Sequence, residues 1–346
     1  MLFTFFKKLT FITLVLFIGN TALADGHSKI KIGILHSLSG TMAISETTLK
    51  DTMLMLIDEQ NKKGGLLGKK LEPVVVDPAS NWPLFAEKAR ELLTVSKVDV
   101  MFGCWTSVSR KSALPVLEEL NGLLFYPVQY EGEESSKNVF YTGAAPNQQA
   151  IPATDYYLEE LGVKKFALLG TDYVYPRTTN KILKQYLIDK GIPESDIFVN
   201  YTPFGHSDWS KIVADVVSLG ADGKKVGVIS TINGDANIGF YKELAAAGIK
   251  ADDIPVVAFS VGEEELSGLD TKNLVGHLAA WNYFQTAESD LNTDFIKQWK
   301  STMGDKRVTN DPMEAHVIGF KMYVKAVEKA GTTDVDAVRK AMYGIK

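Results

Sequence analysis

The side chains that could do chemistry lie in two short segments, each directly after an apolar run. Residues 103–107 (GCWTS) follow the run 98–102, and residues 127–131 (PVQYE) follow the run 123–126. Aromatic, hydroxyl and amide groups that gather where strands end are typical of the rim of a binding pocket. The two segments therefore predict recognition of a small molecule more than a reaction.

An enzyme is the competing class, and the sequence offers little for it. The histidines are scattered along the chain: His27, His36, His206, His277 and His316. His-Glu-x-x-His, paired-cysteine and Gly-x-Ser-x-Gly patterns are missing from the sequence, and GGLLGKK at 64–70 lacks the glycine spacing of a phosphate loop. An amidase-like pairing of Cys104 with Glu131 or Glu263 remains, although Cys104 is better interpreted as a small buried apolar residue. We expect no enzyme activity, no metal and no cofactor.

Two successive sets of alternating elements must position these segments. The first has strand-like runs at 30–35, 71–76, 98–102 and 123–126, with amphipathic stretches at 49–60, 84–95 and 112–120 between them. After Pro146 the rhythm begins again, with strands at 166–169, 197–201, 226–229 and 256–259 and helices near 179–190, 209–219 and 238–247. This βαβ rhythm predicts an α/β fold of two doubly wound parallel-sheet lobes joined by a hinge.

Ligands of such sheets bind outside the carboxyl ends of the strands. In the second set those ends are residues 171–176 (TDYVYP), 231–235 (TINGD) and 261–263 (VGE), which again carry hydroxyl, amide, aromatic and carboxylate groups. We expect a cleft between the lobes to collect both sets. The predicted boundaries are 29–146 plus about 284–346 for the first lobe and 147–283 for the second.

The N-terminus predicts export. Lys7 and Lys8 precede an apolar run at 9–18, and Ala-Leu-Ala at 22–24 matches a signal-peptidase site, so we assign residues 1–24 to a signal peptide. The run is too short to cross a membrane. A single cysteine excludes an internal disulfide and fits a periplasmic location. A net charge of −5 without a basic cluster argues against a nucleic-acid partner.

Six short motifs resemble a known family. They are GCW at 103–105, RK at 110–111, LFYP at 124–127, YEG at 130–132, APNQ at 145–148 and DYVYPR at 172–177. With the order of elements, they resemble the type I periplasmic binding proteins, and most closely the urea-binding members of their short-chain amide and urea branch. The resemblance runs from Ile30 to the end of the chain. It implies capture of urea or a short-chain amide by lobe closure, and delivery to the membrane permease subunits of an ABC transporter.

The family normally continues through a further crossover and a final strand pair, so the resemblance also implies a C-terminus that is incomplete. The last residues of this chain, 341–346 (AMYGIK), follow a helical stretch directly.

Urea has four N–H donors and one carbonyl, so its pocket needs more acceptors than donors, between flat apolar walls. Asp235, Tyr126, Tyr175 and Gln129 offer oxygens, while Ser107 or backbone N–H groups could donate to the carbonyl. Trp105 and Tyr173 could cover the faces. The resemblance places ligand contacts at several of these positions. The full predicted set is Trp105, Thr106, Ser107, Tyr126, Val128, Gln129, Tyr173, Tyr175, Asp235 and Glu263.

Several of these residues have simpler interpretations. Trp105 and Tyr126 could be hinge or core aromatics. Ser107 could be a helix N-cap, Asp235 a turn or cap residue, and Glu263 a carboxylate favoured at a helix N-terminus.

The same fold also serves branched-chain amino-acid binders, which hold a carboxylate and an ammonium group. Val128 stands where, by resemblance, amino-acid and acetamide binders tend to have threonine, which favours a small neutral amide over a zwitterion. A cytoplasmic amide sensor of the same fold is opposed by the export segment.

Overall fold

Two parallel five-stranded sheets form the framework of the protein in a computed structural model that describes residues 29–345. The strands of the first sheet are β1 (Lys29–Leu35), β2 (Lys70–Val76), β3 (Val100–Gly103), β4 (Leu124–Tyr126) and β5 (Val139–Tyr141). Those of the second are β6 (Lys165–Thr171), β7 (Ile197–Thr202), β8 (Val226–Thr231), β9 (Val256–Ala258) and β10 (Leu278–Ala279). The prediction of two parallel-sheet α/β lobes is confirmed. The predicted signal peptide lies outside the described residues.

Helices cover both sheets. They are α1 (Ala43–Lys62), α2 (Trp82–Glu91), α3 (Ser107–Glu119), α4 (Ala150–Glu159), α5 (Val174–Asp189), α6 (Ser210–Leu219), α7 (Ala236–Ala246), α8 (Asp290–Met303), α9 (Asp311–Ala330) and α10 (Val335–Met342). Within residues 29–345, no helix combines the length and the apolar character that a membrane span requires.

Both sheets have the same strand order, and that order sets the position of a cleft. The first runs β2-β1-β3-β4-β5 and the second β7-β6-β8-β9-β10. In each sheet the chain turns to one side after its first strand and to the other side afterwards, which leaves a crevice at the switch point. The loops after β1 and β3, and those after β6 and β8, therefore lie at the two crevices.

The hydrophobic cores of the two lobes are drawn from different parts of the chain. The first core joins residues 30–141 to residues 281–345, and includes the buried Trp299, Phe320 and Tyr323 from α8 and α9. The second lobe is filled by two clusters drawn entirely from residues 150–280. C-terminal helices thus complete the lobe that the N-terminal strands begin.

Side-chain caps set the first residues of α3 and α9. Thr106 caps α3 by accepting a hydrogen bond from the N–H of Ser109, so this helix begins five residues before the predicted 112. Asn310 caps α9 in the same way, and Pro312 occupies the first turn, where its missing N–H costs nothing.

Candidate ligand-binding site

Trp105 stands at the crevice of the first lobe because the chain turns sharply after β3. Cys104 adopts a left-handed φ of 66°, and its N–H donates to the carbonyl of Leu35 at 2.8 Å. A side chain on Gly103 would lie 2.4 Å from the same carbonyl, so only glycine allows this approach of β3 to β1. The phenol of Tyr126, at the end of β4, then donates to the carbonyl of Trp105 at 2.5 Å.

Behind these aromatic residues lies a buried network of charges. The Arg110 guanidinium lies 4.4 Å from the centroid of the Tyr126 ring and donates from Nε to Glu134 Oε1 at 2.7 Å. Its Nη2 reaches Glu131 Oε1 at 3.4 Å, and Lys111 also pairs with Glu134. Burial opposes ionisation of Glu134, but Arg110 and Lys111 lower its pKa to about 2. Two cations thus balance two carboxylates.

The Ser107 side chain forms its hydrogen bonds within this charged network. Its hydroxyl donates to Glu131 Oε2 at 2.5 Å and accepts from Arg110 Nη1 at 3.2 Å. Because its proton is taken, Ser107 can offer a ligand only a lone pair, which differs from the donor role expected from the sequence. The simpler interpretation of Ser107 as an N-cap is wrong, since Thr106 caps the helix.

Tyr173 and Tyr175 of the second lobe lie close to these first-lobe residues. They lie at the start of α5, with ring centroids 6.2 Å apart. Burial raises the pKa of Tyr173 well above its usual value, and the nearby Tyr126, Tyr175 and Glu131 raise it further. Burial likewise raises the pKa of Tyr175, with the Gln129 amide opposing the shift. Both phenols therefore remain protonated and lie close to first-lobe residues.

Direct hydrogen bonds cross the cleft. Trp105 Nε1 donates to Asn233 Oδ1 at 3.3 Å, and Gln129 Nε2 donates to the carbonyl of Phe259 at 2.6 Å and to Ser260 Oγ at 3.0 Å. The backbone N–H of Asp235 donates to the carbonyl of Thr41 at 3.2 Å. The lobes are therefore in contact, in a closed arrangement.

Among the buried polar groups that make no well-formed hydrogen bond within residues 29–345, two lie at this interface, although the Gln129 amide is close enough to Tyr175 to oppose the rise in its pKa. They are the carbonyl oxygen Oε1 of Gln129 and the hydroxyl of Tyr175. A buried polar atom without a partner is costly, and such atoms are usually satisfied by a bound molecule or water. Gln129 and Tyr175 thus offer one acceptor and one donor–acceptor to a small ligand.

The structure gathers Trp105, Ser107, Tyr126, Gln129, Tyr173 and Tyr175 around the cleft. We call these six residues the cleft cluster. Asn233 and Ser260 join it from the second lobe, and sequence reasoning had not assigned either a role. The one signal for Asn233 was its place in the loop after β8, two residues before Asp235.

Four other predicted residues lie elsewhere or are otherwise engaged. The Thr106 hydroxyl caps α3, and Val128 is buried in the same first-lobe core cluster as Trp105 and Tyr126. The side chain of Asp235 is exposed. Glu263 accepts from the N–H of Gln285 at 2.7 Å and lines a cavity of about 450 Å³ in the second lobe, whose walls include none of the cleft cluster.

The amidase-like alternative finds no support in this geometry. Cys104 is fully buried, and burial raises the pKa of its thiol far above the range in which a thiolate nucleophile forms. Glu131 is engaged by Ser107 and Arg110, and Glu263 faces another cavity. Across the described part of the chain, no group of three or more His, Cys, Asp or Glu side chains is placed to hold a metal ion.

Two α/β lobes that meet over a polar, aromatic cleft define a class of two-lobed solute-binding proteins. The family described as periplasmic binding protein domain matches residues 30–346, and the chain belongs to it. The predicted membership of the type I periplasmic binding proteins is thereby confirmed.

Curated relatives are similar over most of their length. Leu/Ile/Val-binding protein homolog 3 of Brucella melitensis is 24% identical over 323 residues, covering 92% of this chain and 84% of the relative. Leu/Ile/Val-binding protein BraC3 of Rhizobium johnstonii is 26% identical over 326 residues, with coverages of 91% and 84%. The assignment to the urea branch stays a prediction.

Solved structures share the fold. A periplasmic binding protein from Burkholderia mallei superposes with a TM-score of 0.80 at 19% identity, covering 92% of this chain and 83% of that one. The branched-chain amino acid transporter substrate binding protein LivJ from Streptococcus pneumoniae, in complex with isoleucine, gives 0.77 at 18% identity, with coverages of 91% and 87%.

Proposed function

We propose that this protein captures urea, or a similarly small neutral amide, by closing its lobes, and delivers it to the permease subunits of an ABC transporter in the periplasm. The observation that carries the proposal is the pair of unpartnered groups, Gln129 Oε1 and Tyr175 OH, inside a charge-balanced aromatic cleft. Urea supplies N–H donors to such groups and brings no charge of its own.

The hydrogen-bonding character of the cleft cluster supports a donor-rich ligand. Gln129 Oε1 accepts, the phenol of Tyr175 accepts as well as donates, and Ser107 is left with a lone pair because Glu131 takes its proton. The single carbonyl of urea can meet the N–H groups of Ser107 and Val108 at the start of α3, since Thr106 already satisfies those of Ser109 and Arg110.

A branched-chain amino acid is the second candidate, and the names of the relatives favour it. Two of them are Leu/Ile/Val-binding proteins at 24% and 26% identity. A zwitterion needs one free cationic and one free anionic partner, or several oriented dipoles, to offset desolvation. In the network behind the cleft, Arg110 and Lys111 are paired with Glu131 and Glu134, so these charges are already compensated.

Calorimetric titration with urea, formamide, acetamide and leucine tests the two candidates directly. We expect urea to bind more tightly than acetamide, because acetamide carries a methyl group in place of one NH2 group of urea, and the acceptor that loses its N–H donor stays unpaired at a cost of about 1–3 kcal/mol. Leucine should give no heat of binding. Leucine binding more tightly than urea would overturn the amide proposal in favour of the amino-acid one.

Two further measurements test mechanism. Solution scattering with saturating urea should show a more compact particle than without ligand, because closure shifts the population of the two arrangements. Prolonged incubation with urea or acetamide should release no ammonia. Ammonia release that depends on the protein would identify it as an enzyme instead.

A further inference from the structure

Ser45 and Glu265 meet outside the cleft cluster, at a second contact between the lobes. Ser45 lies in α1 of the first lobe, and its hydroxyl donates to Glu265 Oε1 at 2.7 Å. Glu265 begins a short 3-10 turn, Glu265–Gly268, in the segment between β9 and β10 of the second sheet, and its Oε2 accepts from the N–H of Gly262 at 3.0 Å. Both side chains are almost wholly buried, with exposures of 0% and 2%.

We propose that Ser45 and Glu265 form a latch that holds the lobes closed and that acid strengthens. The proposal rests on the lobe closure of the proposed function but not on the identity of the ligand. Opening the lobes separates Ser45 from Glu265, returns the carboxylate to water and frees the serine hydroxyl. Closing restores a charge-assisted hydrogen bond but removes the carboxylate from water.

The pH dependence follows from the burial of Glu265. Burial raises the pKa of Glu265, and the hydrogen bonds from Ser45 and Gly262 offset only part of that effect. Because the carboxyl holds its proton more tightly in the closed form than in the open one, closing takes up a proton. The closed form is therefore favoured at low pH, and this advantage is lost as pH rises through the raised pKa.

The charged groups around the latch leave this sign unchanged. Glu264 precedes Glu265 and raises its pKa further. Arg307 pairs with Glu264 at 3.6 Å and with Asp51 of α1 at 3.5 Å, so its charge is shared between two other carboxylates. Glu263 of the same segment and Asp311 of α9 are carboxyl groups whose own pKa values burial raises. Carboxylates therefore outnumber cations here.

The latch can be tested without a ligand by trapping the closed form. Thr41 and Asp235 touch across the cleft through backbone atoms, so both can be changed to cysteine and the rate of disulfide formation under a mild oxidant reports the closed population. The native Cys104 is buried and does not compete. In this background we expect Ser45→Ala to slow trapping about tenfold, the value of one charge-assisted hydrogen bond.

Two comparisons make the result decisive. Thr47→Ala, on the same helix, removes a hydroxyl that bonds only to the carbonyl of Ala43, so it should leave the rate unchanged. Glu265→Gln keeps partners for Ser45 and Gly262 but cannot titrate, and using it as the reference at each pH cancels the pH dependence of the thiols themselves. The trapping rate with the native Glu265, relative to that of the Glu265→Gln variant, should fall as pH rises from about 5 to 8.

The outcomes separate the latch from the ligand proposal. Equal trapping rates in Ser45→Ala and Thr47→Ala, or a rate ratio that does not change with pH, would overturn the latch. A ratio that falls with pH supports the latch even if calorimetry shows that urea does not bind. If urea binds but the trapping-rate ratio does not change with pH, the ligand proposal is supported and the latch proposal is overturned.

Discussion

The indole nitrogen of Trp105, on the loop after β3, donates across the cleft to Oδ1 of Asn233, on the loop after β8, over 3.3 Å. Asn233 is itself held in place, because its N–H donates to Thr171 Oγ1 at 2.9 Å and its Nδ2 to the carbonyl of Thr231 at 3.0 Å. The orientation of an aromatic wall in the first lobe thus depends on a fixed residue of the second.

Replacing Asn233 by alanine should weaken urea binding about tenfold. The change removes the partner of Trp105 in the closed form, and a buried donor left unpaired costs about 1–3 kcal/mol. Titration calorimetry measures the effect. Asp235→Ala is the matched control, since this carboxylate is exposed two residues away and its backbone N–H is retained. A larger loss in Asp235→Ala than in Asn233→Ala would restore Asp235 to the site.

Gly234→Ala should hinder closure. A Cβ at this position would lie 2.5 Å from the carbonyl of Thr41 on the opposite lobe, and φ of +69° disfavours alanine in either state. Gly223→Ala isolates the second effect, because its φ is +82° and nothing lies within 4 Å. We expect both variants to lose similar thermal stability, while only Gly234→Ala loses affinity for urea. Equal affinities would mean that the two lobes do not approach here when ligand binds.

Tyr175→Phe should separate affinity from stability. The Tyr175 hydroxyl is buried without a partner, so its removal should leave the melting temperature unchanged or slightly raised in the absence of ligand. Urea should bind about tenfold or more weakly, because one hydrogen bond to it is lost. Tyr156→Phe, at a half-exposed position, provides the comparison. Parallel loss of stability and affinity would indicate a purely structural tyrosine.

Arg110→Met should be among the most destabilising changes in the chain. It would leave Glu131 and Glu134 buried beside a single remaining cation, Lys111, and breaking a buried ion pair in this way costs about 3–5 kcal/mol. Thermal unfolding measures the loss, since urea cannot serve as denaturant for a protein proposed to bind it. The solvent-exposed pair of Arg177 with Asp172 is the control, and Arg177→Met should cost no more than about 1 kcal/mol.

Asp311 should make stability depend on pH near neutrality. Burial, helped by the charges of Glu314 and Glu263, raises its pKa to about 7 against the hydrogen bonds from the N–H groups of Asn282 and Tyr283. A raised pKa contributes stability that is present at low pH and lost as pH rises through about 7. Asp311→Asn should remove this contribution, which amounts to up to about 4 kcal/mol.

The measurement compares the two proteins over pH. Thermal unfolding between about pH 5 and pH 8 should show the wild type losing stability relative to Asp311→Asn as pH rises. Exposed Asp252 offers the reference, and Asp252→Asn should follow the wild type throughout. A constant difference between wild type and Asp311→Asn would mean that Asp311 does not titrate in this range.

The lobes could be predicted because most strands carry a strong local signal. β1, β6 and β8 are runs of six or seven residues that are largely apolar and buried. β5 and β10 were missed, since three and two residues are too few to show a period. The start of α3 was placed late because its first turn holds Ser107, Ser109 and Arg110 in place of an apolar stripe.

The cleft could be predicted only in part, because its contacts join distant residues. The hydroxyl and aromatic groups at strand ends were visible, but the partners of Trp105 and Gln129 lie 128 and 130 residues away. Asp235 attracted attention as a carboxylate, yet α7 begins beside it and leaves its side chain in solvent, while Asn233 lies inside. The sequence pointed to the loop at 231–235, and within that loop the structure places Asn233 against Trp105.

The division of the cores has a consequence for the order of folding. Tyr323 of α9 packs edge-on against Phe102 and Phe125, at 6.2 Å and 6.0 Å between ring centroids, so the first strands of the chain finish their core with residues about 200 positions later. Contacts between distant residues form slowly because loop-closure entropy must be overcome first. The second lobe closes its cores within residues 150–280. During synthesis of the chain, we therefore expect the second lobe to complete its core before the first lobe does. The core around β1 can be completed only after α9 has been made.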